Sequence, residues 1–300
     1  MPLFGLDIGG TRIKAAVVRE DGSILGETAS ATPSRLTEFR DTVRGMIESF
    51  EGWDAAGVAC KGIINAATSR VDVLPGTLHY LEGFVLADLF PNGTVVKADN
   101  DARATMAGEI AWGAARGRRN ALLATLGTGV GGAVLAEGRL VRGAGGVGGH
   151  LGHLTVEEDG EPCICGNHGC LETVFSAKAI EAEAFATVNR GCATSLRADD
   201  LSCQSVFAAA AVGDPIAVWI RDRAIRRLGA ALAGVVHLLD PEVIIVGGQI
   251  AEAGDALFAP LRREIHWRTE SLLRRKVPVV ATQVADTSGV VGAAALAMGC

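Results

Sequence analysis

Leu3–Val18 reads LFGLDIGGTRIKAAVV, and Ala121–Leu135 reads ALLATLGTGVGGAVL. Each is an apolar strand, a turn built from Gly and Thr, and a second strand. In the first, Leu3–Ile8 runs into Asp7-Ile8-Gly9-Gly10-Thr11, Ile13–Val18 alternates, and Asp21-Gly22 supplies a hairpin turn before Ile24-Leu25. In the second, Ala121–Leu126 leads to Gly127-Thr128-Gly129, and the strand Gly131–Leu135 ends at a turn, Glu137-Gly138. The repeat predicts an internal duplication, two related α/β halves facing each other across a cleft.

The rest of the chain extends this pattern. A helix is expected over Leu36–Phe50, after Pro33 and with Ser34 as its cap, then strands at Ala56–Cys60 and Thr94–Lys97. The next helix, Ala102 to Ala115, places Met106, Ile110 and Ala114 on one face. Downstream, helices are expected at Ser176–Asn189, Leu201–Val212, Pro215–Leu239, Ala256–His266 and Val290–Met298, with strands at Val243–Val246 and Val277–Ala281. Helices alternating with short β-branched strands define the α/β class. The division expected is a small lobe over 1–115, joined by a returning helix at 290–300, and a larger lobe over 116–289.

Three hundred residues suffice for two lobes. Aromatics are only 5% and Gly numbers 39, which favours close backbone packing over an aromatic core. A net charge of -6 without a dense Lys/Arg block argues against a nucleic-acid surface. The longest apolar stretch, Leu228–Leu239, is interrupted by His237 and falls short of the ~20 residues of a membrane span. The beginning of the sequence lacks a basic, cleavable leader, so a cytoplasmic location is expected. Seven Cys, three of them clustered at Cys163, Cys165 and Cys170, point to metal rather than a disulfide framework.

Four groups of residues carry chemistry. Asp7 at a strand end, followed by Gly9, Gly10 and Thr11, combines a carboxylate suited to water-bridged Mg²⁺ with backbone and hydroxyl donors suited to phosphate. Thr128 and Gly129 offer a second such turn, and Gly247-Gly248 after Val243–Val246 a flat surface for a base or ribose. Gly127–Gly132 leads into a second strand rather than a helix, so it is not read as a Rossmann fingerprint, and no Gly-x-x-x-x-Gly-Lys loop is present. Asp99-Asn100-Asp101, at a strand-to-helix junction, supplies carboxylates and an amide suited to deprotonating and aiming a phosphoryl-acceptor hydroxyl, beyond what a helix cap requires. His153, Cys163, Cys165 and Cys170 suit tetrahedral Zn²⁺ with every position filled by protein, a structural rather than catalytic site.

Together these motifs resemble those of the ROK family of sugar kinases over nearly the whole chain. Asp7–Thr11 is similar to its first phosphate motif and Thr125–Gly132 to its second. Asn100-Asp101 resembles its Asn-Asp pair, and His153 with Cys163–Glu172 its zinc signature. The resemblance implies an actin-like (RNase H-like) ATPase fold with two lobes and a central cleft. It implies ATP, Mg²⁺ and Zn²⁺, with the zinc segment at 153–172, and a homodimer or higher homo-oligomer acting on a small sugar-like molecule, away from nucleic acid and membrane. It assigns Asp101 as the base that deprotonates a sugar hydroxyl, typically on carbon 6. Asn100, His153 and Glu172 would contact the sugar, Gly9, Gly10, Thr11, Thr128 and Gly129 the phosphates, and Gly247 and Gly248 the adenosine.

Three positions depart from the family pattern. Arg12 stands where Lys is usual, and Pro75-Gly76-Thr77-Leu78-His79 lacks the Asn of Pro-Asn-Leu. Gly149-His150-Leu151-Gly152-His153 carries His150 where a sugar-binding Glu is usual, as bacterial N-acetylmannosamine kinases can. The expected activity is a hexose kinase, with an N-acetylmannosamine or cyclitol kinase as the alternative. A sugar- and nucleotide-binding regulator without turnover is the reading from a different class, and Asp101 argues against it.

Overall fold

The computed structural model describes residues 1–76, 78–284 and 288–299, for Ser288 the backbone alone; Thr77 and Cys300 lie outside the described residues. Its elements run β1 (Leu3–Ile8), β2 (Arg12–Val18), β3 (Ile24–Ala31), α1 (Leu36–Glu48), β4 (Ala55–Cys60), β5 (Ile63–Asn65), β6 (Arg70–Val73), β7 (Val95–Asn100) and α2 (Asp101–Trp112). There follow β8 (Ala121–Leu126), β9 (Val130–Ala136), β10 (Arg139–Leu140), α3 (Glu172–Phe175), α4 (Ala177–Asn189), α5 (Cys203–Ala211), α6 (Pro215–Leu239), β11 (Val243–Gly247), α7 (Asp255–Leu273), β12 (Val279–Ala281) and α8 (Ser288–Ala297). The chain divides into two compact units, 1–119 with 133–149 and 282–300, and 120–132 with 150–281. A cut at residue 115 would instead leave 116–119, 133–149 and 282–289 with the second.

One sheet order occurs twice, β3-β2-β1-β4-β7 and β10-β9-β8-β11-β12. In the first sheet β1 is antiparallel to β2 and parallel to β4, which is parallel to β7. In the second, β8, β11 and β12 are parallel and β9 is antiparallel to β10. This is the duplicated α/β architecture expected from the two strand-turn-strand stretches. Among the described residues no single helix is long and apolar enough to cross a membrane.

The first sheet is covered on two faces. Phe4, Leu6 and Ile8 join Phe39, Val43, Met46 and Ile47 of α1 in one core, and Leu3, Ala16 and Val18 join Val290, Val291 and Ala294 of α8 in another. Gly5 and Gly57 are register partners in β1 and β4. A Cβ on Gly5 would lie 2.0 Å from the Val290 carbonyl oxygen, and one on Gly57 1.7 Å from that of Ala293. The two glycines therefore form a floor on which the backbone of α8 rests directly. On its other side α8 meets α2, where a Cβ on Gly292 would lie 2.4 Å from the Ala104 carbonyl oxygen.

Three local expectations need correction. The cap of α1 is Arg35, extended at φ -130° and ψ 145° and making no side-chain cap bond, so Ser34 does not cap it. Helix α2 buries a continuous run, Ala102–Glu109, and ends at Trp112, before Ala114. Enclosure by the sheet and by α8 explains why a single apolar face of Met106, Ile110 and Ala114 was the wrong template. Helix α7 continues past His266 to Leu273, because Thr269 extends the buried stripe of Leu257, Leu261 and Ile265 and bonds back to the Ile265 carbonyl at 2.9 Å.

Glu109 of α2 fixes the returning chain ahead of α8. It has no exposed surface. Its carboxylate accepts from the backbone N–H of Ala114 at 2.6 Å, Gln283 at 2.8 Å and Val284 at 3.1 Å, and from the Thr282 hydroxyl. A buried carboxylate is tolerated on these terms because both oxygens accept from donors, three at Oε1 and one at Oε2.

Candidate active site

In the first unit, the C-terminal ends of β1, β4 and β7 align, with Ile8 beside Cys60 and Cys60 beside Asn100. Parallel strand ends are where open α/β sheets collect ligand-binding groups. Strand β7 passes into α2 without a loop. Asn100 is the cap, its Oδ1 accepting from the Ala102 N–H at 3.0 Å while its Nδ2 donates to the Gly62 carbonyl at 3.0 Å. Asp101 is the first helical residue, and its carboxylate accepts from the same Ala102 N–H at 2.9 Å. The capping role foreseen for this motif falls mainly on Asn100, leaving Asp101 with solvent-accessible surface.

Protein surrounds Asp101 on most sides despite that opening, and this desolvation raises its carboxyl above the ordinary range, opposed by the charges of Arg103 and Lys61. Asp7 is pushed up to about 6, by burial first and by the Asp101 charge second, with Lys14 opposing. Its carboxylate lies against the first turn of α8, where a Cβ on Gly289 would come within 2.1 Å of Oδ2. Cys60, between them in the sheet, is fully buried and its thiol is pushed well above the ordinary range by desolvation. The turn after Asp7 is closed by the Gly9 N–H donating to Arg12 O at 3.1 Å and by the Thr32 hydroxyl donating to Gly9 O at 2.8 Å, with Gly10 and Thr11 exposed at its tip.

Asp99 departs from the other two members of its motif. It has 0% exposure and is paired with Arg103 and Arg142, so it faces inward and is no candidate base. Neither arginine was singled out from the sequence. The Asp99-to-Arg103 spacing of one helical turn was a usable signal, but nothing local marks Arg142.

In the second unit, the Gly127-Thr128-Gly129 turn is closed by the Gly127 N–H on Gly129 O at 3.0 Å, with Thr128 exposed. Glu172, which opens α3, accepts from the Val130 N–H at 2.9 Å. Gly129 lets the Glu172 carboxylate approach closely, since a Cβ there would lie 2.4 Å from Glu172 Oε2 and push that side chain aside. Gly248 has φ +84°, and a Cβ there would lie 2.4 Å from Leu126 O, so the third Gly turn is pressed onto the start of the second. Beside Gly248, residues Gln249, Ile250 and Ala253 line a cleft of ≈ 440 Å³ with Phe207, Ala208 and Glu181.

His153, Cys163, Cys165 and Cys170 converge, their ligand atoms all within 4.8 Å of one another. Cys163 Sγ is 3.6 Å from His153 Nδ1, and Cys165 Sγ is 3.6 Å from Cys170 Sγ. A tetrahedron with Zn–S bonds of ~2.3 Å has edges of about 3.8 Å, so donor set and spacing both fit Zn²⁺. Gly169 packs so closely on Glu157 that a Cβ would lie 1.5 Å from its carbonyl oxygen, and the Glu157 carboxylate accepts from Arg227 Nε at 2.7 Å. That anchors the segment to α6. The ring of His150 lies 6.2 Å from that of His153, centroid to centroid.

The sequence profile of the ROK family matches residues 3–299. A glucokinase of Thermotoga maritima is 34% identical over 307 residues, 99% of this chain and 97% of the relative. An N-acetylmannosamine kinase of Citrobacter koseri is 31% identical over 305 residues, 100% of this chain and 99% of the relative. A solved ROK family glucokinase from Streptomyces griseus, in complex with glucose and AMPPNP, matches with a TM-score of 0.84 and 32% identity over 100% of both chains.

Asp7 gives a stability prediction. Its pKa is raised from 3.8 to about 6, so folding favours the protonated form. That contribution is complete below pH 3.8 and is lost as pH rises through about 6. Asp7→Asn should therefore be more stable than the parent at pH 8, by about 1–3 kcal/mol, with the gain gone near pH 4. Urea unfolding at the two pH values measures this, and equal stability at pH 8 would refute a charge-averse site.

Proposed function

We propose, because this chain belongs to the ROK family, that it is an ATP-dependent sugar kinase whose general base is Asp101. The observation that carries the role of Asp101 is its placement: a solvent-accessible carboxylate at the first position of α2, with weakened acidity. As the acceptor hydroxyl oxygen bonds to the γ-phosphorus of ATP, its proton passes to the Asp101 carboxylate. The bond from the γ-phosphorus to the β–γ bridging oxygen breaks, and ADP leaves. A carboxyl above its ordinary range holds that proton better, while Arg103 and Lys61 limit the shift and favour the ionised base. The acceptor is a primary hydroxyl of a hexose or hexose-like molecule.

Supporting roles follow the placements described. Gly9, Gly10 and Thr11, like Thr128 and Gly129, offer exposed or half-exposed turns to phosphate oxygens. Gly247 and Gly248 lead into the ≈ 440 Å³ cleft, whose Phe207 and Ile250 suit an adenine ring. Asn100, His153 and Glu172 contact the sugar. Mg²⁺ bound near Asp7 would neutralise phosphate charge. Zn²⁺ held by His153, Cys163, Cys165 and Cys170 would leave no open coordination position, so its role is to fix the segment from His153 to Glu172.

One observation favours a narrower substrate reading. A Glu at 150 accepts from two neighbouring sugar hydroxyls, whereas a neutral imidazole offers one donor and one acceptor. His150 suits the carbonyl of an N-acetyl group, or a cyclitol with fewer hydroxyls to satisfy. We hold N-acetylated hexosamine or cyclitol as the second reading beside plain hexose.

Three measurements test these roles. Asp101→Asn should lower turnover by about 10²-fold or more while nucleotide binding persists, and near-normal turnover would remove Asp101 from the mechanism. Metal analysis should find about one zinc per chain, and Cys165→Ser should weaken sugar binding more than ATP binding; full activity in metal-free protein would make the cluster incidental. His150→Glu should shift preference toward glucose by about ten- to hundredfold. Efficient glucose phosphorylation by the parent chain would defeat the narrower substrate reading.

A further inference from the structure

Asp99 and Arg103 are both 0% exposed and stand one helical turn apart across the β7–α2 junction. Asp99 Oδ1 accepts from Arg103 Nε at 2.6 Å and from the Asn100 backbone N–H at 2.8 Å. Its Oδ2 accepts from Arg142 Nε at 2.7 Å. Arg103 Nη1 in turn donates to the Gly148 carbonyl at 3.0 Å, and the Gly148 N–H donates to Arg142 O at 2.8 Å. The Gly-rich loop 142–148 is thus fastened at both ends to one carboxylate–guanidinium pair. The same carboxylate holds the backbone N–H of Asn100, the residue before the base.

A fully buried pair is seldom the most stable filling for a core, since apolar side chains of equal volume do as well or better. This pair even leaves Arg103 Nη2 buried without a hydrogen-bond partner among the described residues. What it supplies is direction: fixed angles at two carboxylate oxygens and a planar fork. With one carboxylate and two guanidinium groups, it also carries net positive charge next to Asp101, whose other close charged neighbours are Asp7 and Lys61.

We propose that Asp99, Arg103 and Arg142 form a positioning clamp that holds loop 142–148 and the Asn100-Asp101 junction in one fixed geometry, so that Arg142 governs acceptor binding without touching the acceptor. The loop runs on directly into His150 and His153, and the tie to the acceptor rests on the kinase reading above. Among the described residues, no hydrogen bond joins the Gly9–Thr11 turn to the clamp.

Arg142 is the member to alter, because its side chain is 36% exposed and the other two are sealed in the core. Arg142→Met should raise the KM for the sugar by about 10- to 100-fold and lower kcat, with the KM for ATP within about twofold of the parent. Arg142→Lys, which keeps charge but not the fork, should recover only part of the loss. Hydrogen exchange reads the clamp without turnover: Arg142→Met should speed exchange at the Gly148 and Asn100 amides together. Unchanged exchange at Asn100, or a thermal destabilisation with the sugar KM untouched, would overturn the proposal. A parent chain inactive on every sugar would count against the kinase reading, and the exchange result would still decide the clamp.

Discussion

A carboxylate without exposed surface has to be matched by donors at each oxygen, and Asp99 meets that requirement from three directions. Losing one partner would leave the other charge stranded in the core, which typically costs several kcal/mol. That penalty makes the arrangement nearly all-or-none. The end of β7, the first turn of α2 and the ends of a Gly-rich loop therefore share one geometry, and Asp101 inherits its direction from it. The chain belongs to the ROK family, and Asp101, the general base proposed for it, stands at that junction.

The first unit also holds two carboxyls, Asp7 and Asp101, that are both shifted toward the neutral form by burial, Asp7 also by the charge of Asp101. Stability alone would select amides or apolar groups at both positions. In the function proposed here, these two positions are where folding energy is given up for phosphoryl chemistry. Lys61 and Arg103 lessen the conflict rather than remove it.

The duplication was legible because each copy is written locally: an apolar strand, Gly and Thr at the turn, a second strand. The Cys-His cluster was legible for the same reason, its thiols lying within a few residues of one another. Asn100-Asp101 stood out as more capping-type residues than one helix start needs. What stayed hidden depends on partners distant in sequence. Helix α2 looked amphipathic until α8, far along the chain, covered its remaining side. Asp99 looked like a third site residue until Arg142 reached it. The hairpin of β5 and β6, only a few residues per strand, was too short for any period to register. Helix α7 outran its expected end because its last buried position is a threonine, which carries no apolar signal.

The floor of Gly5 and Gly57 also sets a timetable. These glycines are among the earlier residues made, and the backbone that covers them belongs to residues 290–294. During synthesis the first sheet can gain its α1 face early, while the opposite face, with Leu3, Ala16 and Val18, stays bare until α8 leaves the ribosome. A nascent chain of this architecture therefore spends most of its translation with one apolar sheet face uncovered, a substrate for chaperones and for misassembly with its neighbours on the same message. Stalled or prematurely terminated products should be cleared as unfolded protein rather than persist as a half-sized domain.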